Sequence, residues 1–285
     1  MTSLTEETFE KTLSSFIRSD AIDLRDVSFI DPYGMVGLLE IGELCMLEDV
    51  KKTVLLPRSV EVLRYLERMD FFPHAKRYFI LEPIHAPSPE GRAPDSDVLL
   101  EITPVERAND IHSIVGKVEE RAQAILAKHL RYDGKAINSF IVALSEICQN
   151  IIEHSENKGF VGIQKYRYPG LGRNIVKIAV MDAGIGFRKS LSSRFKLRND
   201  LDAIEKALLH GASRHADEGR GHGLAAVRRF IGHWQGRLSI RSGSARLSII
   251  PPWSRGREQE RNLTPFPGSQ INIILPEVQT TVQPN

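Results

Sequence analysis

The sequence has 285 residues, of which 41% are hydrophobic and 26% charged, with a net charge of +2. That composition supplies one large or two ordinary folded domains and excludes a disordered, collagen-like or membrane-bundle chain. No apolar run approaches the ~18–20 residues needed to span a bilayer, and the start, MTSLTEETFEKTL, has neither the basic nor the apolar region of a secretory signal. Two distant cysteines, Cys45 and Cys148, make neither a disulfide framework nor a zinc site, so a reducing, cytoplasmic setting is expected. The small net charge conceals an imbalance. Residues 1–100 carry 11 Lys/Arg against 18 Asp/Glu, whereas residues 101–285 carry 27 against 18. Two domains with different surfaces would produce this, and so would an anion-handling second half.

Taken in chain order, Ser3 and Glu6 have the spacing of a capping box before a helix with Phe9, Leu13, Phe16 and Ile17 on one face. A strand is predicted over Ala21–Val27, a helix over Gly34–Leu47 and a short strand over Thr53–Leu56. Ser59 then caps a helix bearing Val62, Leu63, Leu66 and Met69. Glu82–Asp97, with prolines at 83, 87, 89 and 94, reads as a linker or long exposed loop. A strand at Val98–Thr103 follows, then a long helix over roughly Val105–Leu130, an interruption at Gly134, and a second helix to His154. Strands are predicted at Gly159–Tyr166 and Asn174–Met181, and helices near Leu201–Leu209 and Leu224–Trp234. The last strands fall at Arg237–Arg241, Ala245–Ile250 and Gln270–Leu275, with an exposed loop at Pro251–Pro267. The fold class is α+β, with three divisions: 1–81, the linker 82–97, and 98–285, the last with helices gathered on one face of a mixed or antiparallel sheet.

Four features of the second division bear chemistry. On the helix ending at His154, residues Glu146, Asn150 and His154 recur at i, i+4 and i+8 and share a face. A carboxylate and a carboxamide one turn apart can hold a hydrated divalent cation and orient a water or hydroxyl, although most such rows are only solvated helix faces. The strand Asn174–Met181 runs into Asp182-Ala-Gly-Ile-Gly-Phe187, where Asp182 can accept from an exocyclic amine and Gly184 and Gly186 allow close approach of a flat ligand. A turn needing positive φ accounts for the same glycines. Gly219-Arg-Gly-His-Gly-Leu224 precedes a helix and can wrap phosphate oxygens with backbone amides. It is neither the dinucleotide fingerprint nor a P-loop. Pro267-Gly-Ser269 leads into the final strand.

The four together, in this order, resemble the N, G1, G2 and G3 boxes of the gyrase, chaperone, histidine-kinase and mismatch-repair ATPases (the GHKL, or Bergerat-fold, superfamily), over about residues 98–277. The resemblance implies an α/β sandwich with helices on one face of a mixed sheet, binding ATP and Mg2+. It assigns the base or nucleophile-aligning role to Glu146 and magnesium coordination to Asn150. Adenine reading falls to Asp182, with Gly184 and Gly186 under the base, and phosphate wrapping to Gly219, Gly221 and Gly223, followed by Leu224. Residues Arg188–Glu218 correspond to the lid and its flanks, with Arg214 or Arg220 within reach of phosphate. Ser269 stands where the last box usually has threonine, so a hydroxyl is kept.

In the first division, AIDLRDVSFIDPYGMVGLL and TVLLPRSVEVLRYLERMDFF resemble the central strands and helices of sulfate-transporter/anti-sigma-antagonist (STAS) domains, over about residues 21–72. Pro32 and Tyr33 stand where phosphorylated members commonly carry serines, so the usual acceptor is absent. The pair of resemblances implies an ATP-binding signalling protein that hydrolyses ATP or phosphorylates a protein, as an anti-sigma-type serine/threonine kinase does, with a protein partner engaged through the STAS-like part. The alternative is a nucleotide-gated binding module without turnover. A self-phosphorylating histidine kinase does not fit: His112 and His129 lack the acceptor context. A gyrase-like motor needs a transducer beyond the last box, and only about nine residues follow Pro276. The arginines are dispersed rather than interleaved with aromatics, which argues against nucleic acid. His210, His215 and His222 lack the spacing of a helical metal pair. A homo-oligomer is left open.

Overall fold

The computed structural model describes residues 2–84, 97–210 and 223–279. The first stretch runs β1 (Thr2–Leu4), α1 (Glu6–Arg18), β2 (Ala21–Asp23), β3 (Val27–Ile30), α2 (Pro32–Leu47), β4 (Thr53–Leu55), α3 (Val60–Arg68), α4 (Phe71–Tyr78) and β5 (Ile80–Glu82). Strands β2, β4 and β5 form a parallel sheet, and β1 pairs in parallel with β3. Ser3 does not cap α1, because strand pairing claims it. Thr5 takes the cap position, its amide donating to Thr8 Oγ1 at 2.9 Å. The single strand predicted at Ala21–Val27 is two. Asp23 accepts from the Arg25 amide at 3.0 Å, and Val27 N donates to Leu24 O at 2.9 Å, so a local turn breaks the run. Asp31 caps α2 by accepting from Gly34 N at 3.1 Å, and Ser59 caps α3 by accepting from Val62 N.

The second stretch opens with β6 (Val98–Val105) and α5 (Ala108–Ala122). A π-helical turn at Gln123–Ala127 and the short α6 (Lys128–Leu130) interrupt what periodicity predicts as one long helix. Next come α7 (Gly134–Asn150), a second π-helical turn at Ile151–Ser155, β7 (Gly159–Tyr168) and β8 (Arg173–Asp182). Helices α8 (Gly186–Leu191), α9 (Asp200–His210) and α10 (Gly223–His233) precede β9 (Arg237–Gly243), β10 (Ala245–Ile249), β11 (Gln259–Glu260) and β12 (Phe266–Pro276). No described helix is long and apolar enough to cross a membrane.

Strands β6–β12 make one seven-stranded sheet in the order β11-β10-β9-β12-β8-β7-β6. Every described pairing in it is antiparallel, so of the expected mixed or antiparallel sheet it is the antiparallel one that forms. The reason is topological. The helical connection from β8 to β9 leaves those strands running the same way, but β12 returns between them and pairs antiparallel with both.

Both faces of this sheet are buried. Along β8 the alternation of a strand sends Val176, Ile178 and Val180 into the core under α5, α7 and α10. Ala179 and Met181 point the other way, into a second core shared with α1–α4, together with Val98, Ile102, Phe160 and Phe266. The N-terminal elements therefore cover the face that the sandwich reading leaves open.

Candidate functional site

The backbone brings three of the four sequence features to one end of the sheet. Helix α7 ends at Asn150, the π turn follows, and β7 starts at Gly159, which pairs with Asp182 at the end of β8. Asp182 is also opposite Ser269, near the start of β12. The π turn locks onto the loop after β8: Ile185 N donates to Ser155 O at 2.9 Å, and a Cβ at Gly184 would overlap that carbonyl. Gly184 is thus required by close approach. Gly186 is the position that needs positive φ, at +70°, where it opens α8.

Asp182 is 2% exposed. Its Oδ1 accepts from Gly184 N at 2.9 Å, and Ser269 Oγ donates to Oδ2. Burial raises its pKa to about 6, with the bonds from Ser269 and Gly184 opposing the rise. Each carboxylate oxygen has two lone pairs, so acceptor capacity remains for an amine. Ser269 consequently acts by fixing Asp182. Gly268, at φ +76°, lies so close that a Cβ would overlap the Asp182 carbonyl.

Glu146 is exposed on α7, and a Cβ at Gly223 would strike its carboxylate. The start of α10 is therefore seated directly against Glu146, joining the ends of the N and G2 features. Leu224, the next residue, is buried in the inner core and anchors the helix. Asn150 Nδ2 is buried without a hydrogen-bond partner, an unusual state for an amide. His154 is half-buried, with Nε2 3.9 Å from Glu153. Gly219, Gly221, Arg214, Arg220, His215 and His222 lie outside the described residues.

Sequence reasoning missed Ser242. Its hydroxyl accepts from Phe187 N at 3.2 Å and donates to Gly268 O at 2.6 Å, stitching the first turn of α8 to the irregular start of β12. Gln270 adds a bond to Asp182 O at 3.3 Å. Neither residue stands in a recognisable spacing, because the three strands meet only in the folded sheet.

These groups suit a purine nucleotide through a buried acceptor for the amine and a glycine helix start beside a carboxylate; the space a side chain would take at Gly184 and Gly186 is filled by Ser155 O and by Ser242 and Gly268, so these glycines serve the packing of the loop rather than the approach of a flat ligand. Among the described residues no three His, Cys, Asp or Glu cluster to hold a metal alone. Magnesium does not need such a cage, since it is usually held by one or two protein ligands together with substrate phosphates. Asn150 would join that set through its Oδ1, while its unpartnered Nδ2 is a donor suited to a phosphate oxygen. No curated protein matches the chain. Residues 137–278 match the family described as Histidine kinase-, DNA gyrase B-, and HSP90-like ATPase, and this segment is accordingly an ATP-binding domain of that type.

Proposed function

We propose that the protein is a nucleotide-dependent signalling ATPase or protein kinase whose ATPase domain is attached to a STAS-like N-terminal unit. The observation that carries this reading is the convergence of Asp182, Ser269 and Gly184 with Glu146, Asn150 and Gly223 at one end of the sheet. In this reading Asp182 accepts from the adenine amine, and Ser269 keeps the carboxylate aimed. Asn150 would hold the metal through Oδ1 and donate to a phosphate oxygen from Nδ2. Gly219, Gly221 and Gly223 offer amides to phosphate oxygens. When bound, magnesium neutralises phosphate charge as it develops. Glu146 sits beside the start of α10, where it can take the proton of an attacking water or of a partner's hydroxyl. The buried free thiols Cys45 and Cys148 suit a reducing, cytoplasmic setting.

A second reading, nucleotide-gated binding without turnover, is favoured by one contact. The loop that resembles a STAS acceptor loop has Pro32 and Tyr33 at the critical places. Its Asp31 is buried in an ion pair with Lys177 of β8 at 2.8 Å, and Tyr33, the only hydroxyl in residues 31–34, is 2% exposed, so the loop presents no accessible hydroxyl to a kinase.

Incubation with γ-labelled ATP separates the readings. Label on a protein partner means kinase, and free phosphate means ATPase. Glu146→Ala should keep ATP affinity within a few-fold and lose ~10²–10⁴ in rate. A Glu146→Ala protein turning over at the parent rate removes Glu146 from the chemistry. A parent that binds ATP without any turnover establishes the second reading.

A further inference from the structure

One buried carboxyl takes no part in the site as described, yet lies directly behind it. Glu40, in the middle of α2, is 0% exposed, and neither of its oxygens has a hydrogen-bond partner. Helix α2 packs on β7 and β8, the two strands whose ends hold Gly159 and Asp182. Four titratable groups act at this spot: Asp182 from β8, Lys158 from the turn before β7, Tyr78 from α4, and Glu43 one turn along α2 itself. The Phe160 backbone acts on Glu40 favourably without meeting hydrogen-bond geometry. Lys158 is the one cation among these groups, and it is engaged elsewhere, 3.1 Å from Glu43 and 5.5 Å over the Tyr78 ring.

An ionised carboxylate in such a place is costly. Its desolvation is uncompensated by hydrogen bonds, and a second buried carboxylate repels it. The cheaper state is the neutral acid. Burial and the Asp182 charge both act in that direction, holding Glu40 well above the ordinary carboxylate range. Alternation along β8 gives Asp182 the parity of Ile178 and Val180, which face the helical core, whereas Glu40 lies behind the opposite face with Met181 and Ala179. The two carboxyls thus address the same strand end from its two sides.

We propose that Glu40 is a positioning residue, held as a neutral acid behind the sheet so that Asp182 is the carboxyl of the pair that ionises and accepts from a nucleotide base. The base-accepting role of Asp182 rests on the nucleotide reading above; the division of charge between the two carboxyls does not. By this device the N-terminal unit contributes to the nucleotide site without touching the ligand. It supplies a dry and uncharged backing to the one carboxylate that the site needs.

The test uses the full chain labelled with carboxyl-¹³C glutamate, with the Glu40 resonance assigned by its loss in Glu40→Gln. The expected result at pH 7 is the chemical shift of a neutral acid; the shift of an ionised carboxylate overturns the proposal. In Asp182→Asn the Glu40 titration should move to lower pH by on the order of one unit, and an unmoved titration overturns the coupling. ATP affinity measured against pH supplies a functional readout. Glutamine mimics the neutral acid, so Glu40→Gln should leave the acid-side midpoint of binding where it is. A midpoint displaced toward acid would mean that Glu40 had been carrying charge. If ATP binds at no pH, the nucleotide reading fails, while the two resonance measurements still decide the state of Glu40.

Discussion

The two faces of the seven-stranded sheet bury different chemistry. The inner face is aliphatic: Val161, Ile163, Val176, Ile178, Leu238, Ile240, Ile271 and Ile273 pack under the helices. The outer face interleaves apolar residues with Arg237, Arg241, Arg246, Asn272 and Lys177, which in sequence look like a wet surface. The N-terminal unit meets them with matched acids. Arg241, 0% exposed, donates to Glu10 at 2.8 and 3.1 Å, to Gln270 at 3.2 Å, and to Thr264 O. Glu6 accepts from Asn272 at 2.7 Å and lies 3.3 Å from Arg237 and 3.5 Å from Arg246. The acidic first third and the basic remainder therefore neutralise one another, in part, across an internal interface. Much of the charge imbalance that suggested an external anion is satisfied within the chain.

The hardest way to break this comparison is to remove the outer layer. A chain beginning at residue 97 would expose Phe160, Met181 and Phe266 together with Arg237 and Arg241, which lose their acidic partners, and Arg246, which keeps only Glu260. It should lose cooperative thermal unfolding and elute as aggregate in size exclusion. A monomeric, cooperatively melting fragment would show that the inner face suffices. Next in size is Arg241→Ala, which leaves Glu10 unpaired at a buried contact and should cost ~3–5 kcal/mol in denaturant unfolding. A loss under ~1 kcal/mol would class the pair with surface salt bridges.

Asp182→Asn probes the site end of the inner face, and its two effects have opposite signs. The folded pKa, about 6, lies above the ordinary 3.8. The stabilising contribution is thus fully present below about pH 3.8 and is lost as pH rises through about 6. At neutral pH the ionised group opposes folding, so the asparagine variant should be more stable by up to ~3 kcal/mol. It should also bind ATP ~10–100-fold more weakly, having lost a charged acceptor. For the parent protein, calorimetry should show ATP affinity falling as pH drops through about 6. Unchanged affinity in a folded Asp182→Asn protein removes Asp182 from the site. Ser269→Ala is the mildest test. Losing one hydroxyl bond to Asp182 should cost ~1 kcal/mol, a several-fold drop in affinity with no change in fold.

Periodicity and composition located most elements to within a few residues, because helices and strands that bury one stripe advertise it at 3.6 or 2 residues. The break inside Ala21–Val27 was hidden, since the Asp23–Arg25 turn uses polar residues that alternate as a strand would. Helix α4 and strand β5 were missed for a different reason. Asp70, at φ +57°, turns the chain sharply without glycine or proline to mark the corner. Strand direction in the main sheet was likewise invisible, because insertion of β12 between β8 and β9 is a long-range event.

The sequence by itself supplied the chemical parts of the candidate site. Glu146 and Asn150 share a helix face by their spacing, and Asp182, Gly184, Gly223 and Ser269 stand in local runs whose residue types restrict what they can do. Tertiary structure alone decided how those parts are held. Ser269 reaches Asp182 only because β12 pairs with β8, Ser242 joins α8 to β12 only because β9 lies beside β12, and Glu146 meets Gly223 only because α10 packs on α7. It also decided that the polar outer face is an interior. An arginine written into a strand reads as solvated until a glutamate from more than two hundred residues away is laid against it, and ion pairing between distant segments leaves no periodic trace in either one.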